Sequence, residues 1–349
     1  MPTDRPIIVV GCPRSGTTML QLMLHAHPRI AIPPETRFVL AVYAERRTFG
    51  DLTVAANRRA LARRIVDRPE TRFGDLGLDP EDVVERIAAG PGTLGSALGT
   101  VFQRYAARFG KPRWGDKRPA YLHNVDMLLR LFPDAQFINI VRDGRDCVAS
   151  LKEMSWHRKD IYATVAAWAR AVDDARRAAR RLGPDQWHEV RYEDLVTDPH
   201  GRLAAVCAYL GEKYDPAMAE PSAVARVAVP SFKTWHALTH APVTTGRVQS
   251  WATRLDPEEI ALCEAALGSR LVAGGYELSG TARPAPAELL RYGWTAAPQR
   301  LAPARRGLSR AASRLRPGRR VAYVPGTVLA QRGASEPHAA SDRIDAGRP

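Results

Sequence analysis

Apolar residues along the first 280 positions fall into two alternating patterns. Ile7-Ile8-Val9-Val10 is a short β-branched run and the stretch from Gln136 to Val141 reads as a buried-type strand, as expected of strands covered on both faces. From Thr17 to His27 the residues Met19, Leu20, Met23 and Leu24 recur at helical spacing, so the chain opens as strand, loop, helix. The same unit returns where the run ending at Val141 leads into Arg142 and a second helix. Ahead of it, Ala120 to Phe132 reads as an amphipathic helix stopped by Pro133-Asp134. Further on, Ile161 to Leu182 is a long Ala/Arg helix ended by Gly183-Pro184. Trp187 to Tyr192 is a strand, and Arg202 to Leu210 a helix with Gly211 as its stop. Asp256-Pro257-Glu258-Glu259 opens one more helix, reaching about Leu271.

Strands alternating with helices predict an α/β chain of three layers, a central parallel sheet with helices on both faces. The region from about 36 to 110 is Arg-rich and helical in pattern. Asp79-Pro80 breaks it, starting a helix over Glu81 to Ala89, and so does Gly90-Pro91-Gly92. It is expected to be a helical insertion after the first βα unit, covering the site. Pro/Ala/Arg-rich sequence takes over after Ser279, so residues 1–280 are read as one domain and 281–349 as a basic, largely disordered tail.

Charge changes this picture less than its size suggests. Of the formal +14, the tail carries 13 arginines against four acidic residues, leaving the domain close to balanced. A solvated tail is expected rather than a specific nucleic-acid arm. Cys12, Cys147, Cys207 and Cys263 are scattered, with neither C-x-x-C spacing nor a neighbouring histidine, so no metal site and no disulfide framework is expected. The first apolar run is too short for a signal segment and no stretch reaches membrane-spanning length, which points to a cytoplasmic protein.

The candidate chemistry begins at Gly11-Cys12-Pro13-Arg14-Ser15-Gly16-Thr17-Thr18, between a strand and a helix, where backbone N–H groups and the helix dipole hold phosphate. Its G-x-x-x-x-G register is that of an ATP-binding P-loop, but Thr17-Thr18 stands where that motif requires Lys followed by Ser or Thr. Arg14 supplies a cation earlier in the loop. Together with Ala26-His27-Pro28 and Glu35-Thr36-Arg37, this segment resembles the 5′-phosphosulfate loop of the sulfotransferases that use 3′-phosphoadenosine 5′-phosphosulfate, tyrosylprotein sulfotransferases and related bacterial enzymes in particular. The resemblance implies a P-loop-like fold and no metal. It also implies that Arg14, Ser15, Gly16, Thr17 and Thr18 bind the 5′-phosphate and sulfuryl oxygens.

A donor of that kind needs a second anion site at a strand end. Arg142 can fork onto a phosphate, and Ser150 lies about two helical turns on. This spacing resembles the family's 3′-phosphate motif. Asp143 reads as a helix N-cap, whereas Arg145-Asp146 is open between ion pairing and a nucleotide contact. Arg191-Tyr192-Glu193-Asp194 is similar to the family's Tyr-Glu-Asp segment, placing Tyr192 near the adenine or 3′-phosphate. Thr244, Thr245, Gly246 and Arg247, with Ser250-Trp251, resemble the late segment that closes over the donor.

Sulfuryl transfer calls for cations at the sulfuryl and bridging oxygens and a base for the acceptor hydroxyl. Lys117 is similar to the family lysine that contacts the leaving phosphate, and Glu35 matches the glutamate base of the tyrosylprotein-type enzymes. The histidine that phenol and steroid sulfotransferases carry two residues after the lysine is replaced by Pro119. His123 remains a second candidate, and His25 and His27 read as structural. The expected activity is in-line sulfuryl transfer to a hydroxyl on a small molecule, glycan or lipid. A nucleotide kinase or NTPase and a basic nucleic-acid-binding protein are the competing readings.

Overall fold

The computed structural model describes residues 5–222, 243–280, 283–298 and 321–324. Five parallel strands form its centre: β1 (Ile7–Gly11), β2 (Ile30–Ala31), β3 (Arg113–Lys117), β4 (Gln136–Val141) and β5 (Trp187–Arg191), in the order β2-β3-β1-β4-β5. β1 pairs with β3 through Ile8 and Asp116 and with β4 through Gly11 and Ile140, so the three strand ends reach one edge together. Side chains alternate across the sheet. Ile7, Val9, Ile138 and Ile140 face α1 (Thr17–Ala26) and α10 (Pro199–Leu210), whose Leu20, Met23, Leu203 and Val206 close that layer. Ile8, Val10 and Phe137 face the opposite, larger core.

That larger core is built by most of the remaining helices. The insertion contributes α2 (Phe38–Glu45), α3 (Ala55–Val66), α4 (Pro80–Ala89) and α5 (Leu94–Arg108). Arginines of α3 pair with carboxylates of its neighbours, as in Arg63 with Glu81 and Arg64 with Glu45, which accounts for much of the insertion's basic composition. After β3 come α6 (Val125–Leu131), α7 (Gly144–Lys152) and α8 (Ile161–Leu182). They are followed by α9 (Tyr192–Thr197), whose Tyr192, Leu195 and Val196 pack instead in the layer of α1 and α10, and, late in the chain, by α11 (Pro257–Val272). Aspartates open these helices where expected. Asp79, Asp143, Asp160 and Asp198 each accept a backbone N–H of the following turn, and Asp256 forms a capping box with Glu259.

Some elements differ from expectation. Residues 119–124 form a 3-10 turn ahead of α6 instead of one continuous helix, tied down by Tyr121 on Asp116 and His123 on Asp174. Tyr192 starts α9 rather than ending β5. Within the tail, residues 286–298 are helical with Tyr292 and Ala296 in the core, and Tyr323 is buried there too, so packing continues past residue 280. The rest of the tail lies outside the described residues. Among the described residues no helix is long and apolar enough to cross a membrane, and no cluster of His, Cys, Asp and Glu is placed to hold a metal ion.

Candidate active site

The loops leaving β1, β3 and β4 converge because those strands are neighbours. From Cys12 to Gly16 the chain makes a tight turn: Ser15 N–H bonds Cys12 O at 3.1 Å, and the buried Ser15 hydroxyl donates to the same carbonyl at 2.7 Å. Arg14 sits at φ 70, a left-handed conformation that costs a residue with a Cβ and tends to be kept at functional turns. Gly16 (φ 100) is the N-cap of α1, and a Cβ there would lie 2.7 Å from the Tyr192 ring. Thr17, Thr18 and Met19 follow with the unpaired N–H groups of a first helical turn.

Two of the expected anion sites are wired to each other. Arg14 Nε donates to Ser150 Oγ at 2.9 Å, and Arg142 Nη1 donates to Arg14 O at 3.1 Å. Arg142 also lies over the Tyr192 ring at 4.4 Å and donates through Nη2 to Arg247 O at 2.5 Å. Burial lowers the Arg14 pKa, and the charges of Arg142, Arg247 and Arg254 lower it further. A cluster of like charges of this kind is an anion site in waiting. Arg142 Nε and Asn139 Oδ1, both buried, have no protein partner among the described residues. A cavity of about 130 Å³ lies against them.

The late segment is fastened by a residue whose role spacing alone left open. Asp146, fully buried on α7, accepts from Trp251 N at 2.8 Å, Ser250 Oγ at 2.9 Å and Gln249 N at 3.1 Å. This brings Arg247 to the loop. Thr244 and Thr245 stay exposed, with the Thr244 hydroxyl accepting from Gly246 N. Arg145 is engaged in structural pairing: it bonds Asp143 and Glu264 and stacks on Trp251 at 3.9 Å.

At the end of β3, Lys117 Nζ stands 3.4 Å from Thr18 Oγ1 and 3.6 Å from Glu35 Oε2. Burial pulls the Lys117 ammonium below the ordinary lysine range, opposed by Glu35 and Asp116. Arg118 flanks Glu35 at 3.9 Å. Burial, Arg72 and Arg118 lower the Arg37 pKa while Glu35 opposes them, so this mouth is net positive around a single carboxylate. Asp116 joins the two sides: it accepts from Lys117 N at 2.8 Å, from Thr36 Oγ1 at 3.2 Å and from the Tyr121 hydroxyl. Burial pushes its pKa up to about 6. Nothing in the spacing of Asp116 singled it out, since its partners are set by β3 lying beside the loop at Thr36.

The histidines are placed elsewhere. His123 Nδ1 is 2.6 Å from Asp174 on α8, His25 accepts from Ile32 N, and His27 contacts Lys213 O.

Comparison with known proteins places the chain in a family. The chain is 29% identical over 296 residues to nodulation protein NoeE of Sinorhizobium fredii, covering 78% of this chain and 66% of that one. It is 26% identical over 216 residues to protein-tyrosine sulfotransferase 2 of Gallus gallus, covering 60% and 52%. The chain thus spans between about half and two-thirds of the length of these relatives. Among solved structures, the sulfotransferase domain of the Synechococcus PCC 7002 olefin synthase has a similar fold, with a TM-score of 0.54 at 23% identity over 80% of this chain and 98% of that one. The sulfotransferase domain of the curacin biosynthetic pathway also superposes with a TM-score of 0.54, at 18% identity over 80% and 100%. The model of the sulfotransferase family matches residues 6–216, which hold all five strands and the loops at their ends, and on this match the chain belongs to that family.

Proposed function

We propose that this chain transfers a sulfuryl group from 3′-phosphoadenosine 5′-phosphosulfate to an acceptor hydroxyl. The observation that carries the reading is the Arg14–Ser150 bond, which joins a loop suited to one phosphate to a strand end suited to another. A donor phosphorylated at both ends fits that pair. Arg14, the amides at Gly16 to Thr18, and Lys117 bind the 5′ end, whereas Arg142 and Ser150 bind the 3′-phosphate. Tyr192, held under Arg142 and against Gly16, supplies a flat face for the base. Arg247 closes over them.

Glu35 acts as the general base. It takes the proton of the acceptor hydroxyl as the oxygen attacks sulfur on the side opposite the bridging oxygen. The S–O bond to the 5′-phosphate breaks, and Lys117 and Arg14 hold the charge that collects on the departing phosphate. No metal is needed for this step. The acceptor enters past the helical insertion, through the mouth flanked by Arg37, Arg72 and Arg118. The names of the relatives point to tyrosine in a protein and to nodulation; a small molecule, glycan or lipid hydroxyl is the acceptor class proposed for this chain. Glu35→Gln is the test: transfer of labelled sulfate should cease while adenosine 3′,5′-bisphosphate still binds, and retained turnover removes Glu35 from the role.

A further inference from the structure

The first turn of α5 and the last turn of α6 lie side by side, and a helix end in that position leaves N–H and C=O groups without helical partners. Here both are taken up by a segment that lies far along the chain, at residues 321–324. Gly95 N donates to Val321 O at 2.7 Å, Tyr323 N donates to Leu131 O at 2.6 Å, and Val324 N donates to Ser96 Oγ at 3.0 Å. One short peptide therefore caps the start of one helix and the end of another.

The side chains complete the fit. Tyr323 is 8% exposed; its ring stands edge-on to Trp114 at 5.8 Å and to Phe132 at 6.1 Å, and Gln103 Nε2 donates to its hydroxyl at 2.6 Å. The slot exists because α5 carries glycine twice on that face. A Cβ on Gly95 would come within 2.4 Å of Tyr323 N and Leu131 O, and one on Gly99 within 2.9 Å of the Tyr323 ring. Glycine inside a helix is unfavourable relative to alanine. Its use at both positions is explained by the passage of the peptide.

We propose that the groove between α5 and α6 is a binding site for this chain's own C-terminal segment, residues 321–324, with Tyr323 as the anchor. The site is independent of the transfer reaction, although its wall residue Trp114 lies three positions before Lys117 in β3. Residues 286–298 hold the other side: Tyr292 and Ala296 are in the core, and Arg291 lies over the Tyr162 ring at 4.5 Å.

The experiment compares the full chain with chains ending at residue 320 and at residue 324. The chain ending at 324 should melt like the full chain, and the one ending at 320 roughly 3–8 °C lower, as does Tyr323→Ala. A synthetic peptide of residues 318–326, titrated into the shortened chain, should bind with a change in tryptophan emission, and its Tyr323→Ala version at least about tenfold more weakly. Gly99→Ala adds a test that a failure to fold cannot mimic. In the chain ending at 320 it should raise the melting temperature, because alanine favours the helix, and in the full chain it should lower it, because the methyl meets the Tyr323 ring. Equal melting of the chains ending at 320 and 324, absence of peptide binding, or the same sign for Gly99→Ala in both backgrounds overturns the proposal. So does melting of the full chain that depends on protein concentration, which would assign the groove to a second copy's segment.

Discussion

Replacing Ser150 by alanine tests the link between the two anion sites more sharply than removing either arginine. Arg142→Ala would also release Arg14 O, Arg247 O and the face of Tyr192, so its effect has several sources. Ser150 is buried on α7, and its Oγ accepts the 2.9 Å bond from Arg14 Nε. Stripping the acceptor from a charged donor that is half-buried, as Arg14 is, costs at most about 1.5–3 kcal/mol. At about 1.4 kcal/mol per factor of ten, that is roughly 10- to 150-fold in affinity. The assay is calorimetric titration of wild type and Ser150→Ala with adenosine 3′,5′-bisphosphate and, separately, with adenosine 5′-monophosphate. The monophosphate reports only the release of Arg14. The bisphosphate should lose that share plus the hydroxyl's own bond to the 3′-phosphate, and so fall further. Equal losses for both nucleotides would confine Ser150 to tethering Arg14. Unchanged affinity for both would refute the assignment of these loops to one donor, whereas Ser150→Thr, which keeps the hydroxyl, should restore most of the binding.

Other substitutions probe the surroundings. Gly16→Ala should cost roughly 1–3 kcal/mol of stability, because alanine must take φ 100 and push on Tyr192; melting and bisphosphate titration check it, and a neutral effect would mean that the loop moves freely. For Asp116 the folded state raises the pKa from 3.8 to about 6, so its favourable contribution is complete below about pH 4 and is lost as the pH climbs through about 6. Wild type should therefore lose stability relative to Asp116→Asn across that window, by an amount on the order of 2–3 kcal/mol, and denaturant midpoints that keep a constant gap would contradict it. Asp146→Ala should free the segment at Gln249 to Trp251, weakening bisphosphate binding by about tenfold or more while the sheet's amide protection stays intact.

The elements legible in the sequence are those whose signals are local. β4 has four β-branched or aromatic residues among its six, and α8 is bounded by Asp160 and by Gly183 at φ 68. β3 carried no such signal. Arg113-Trp114-Gly115-Asp116-Lys117 is polar, yet it is fully buried, because each of its charges has a partner far along the chain: Arg113 has Glu212 and Leu210 O, Asp116 has Thr36, and Lys117 has Glu35. The same reason hid the role of Asp146, whose hydrogen-bond donors at Gln249 to Trp251 lie more than 100 residues along the chain. The phosphate loop and the Arg142 to Ser150 spacing were readable because each is a strand-to-helix unit complete in itself. The bond that joins them was not, since it depends on β1 and β4 being neighbours in the sheet.

The helical insertion leaves the domain just after β2 and returns just before β3, so Glu35 stands at its entrance and Lys117 a few residues past its exit. None of its four helices supplies a residue to the Arg14, Arg142 and Ser150 constellation. It is in effect a cassette clipped between two fixed jaws. On the proposed function, replacing its acceptor-facing residues should change what is modified without changing how the modifying group is held, provided that Phe38, Leu98 and Phe102, which pack in the core with Ile8, Val10 and Trp114, are kept. Exchanging only the surface residues between 36 and 110 for those of a relative is the variant expected to alter the acceptor while adenosine 3′,5′-bisphosphate binding, read by titration, stays as it is.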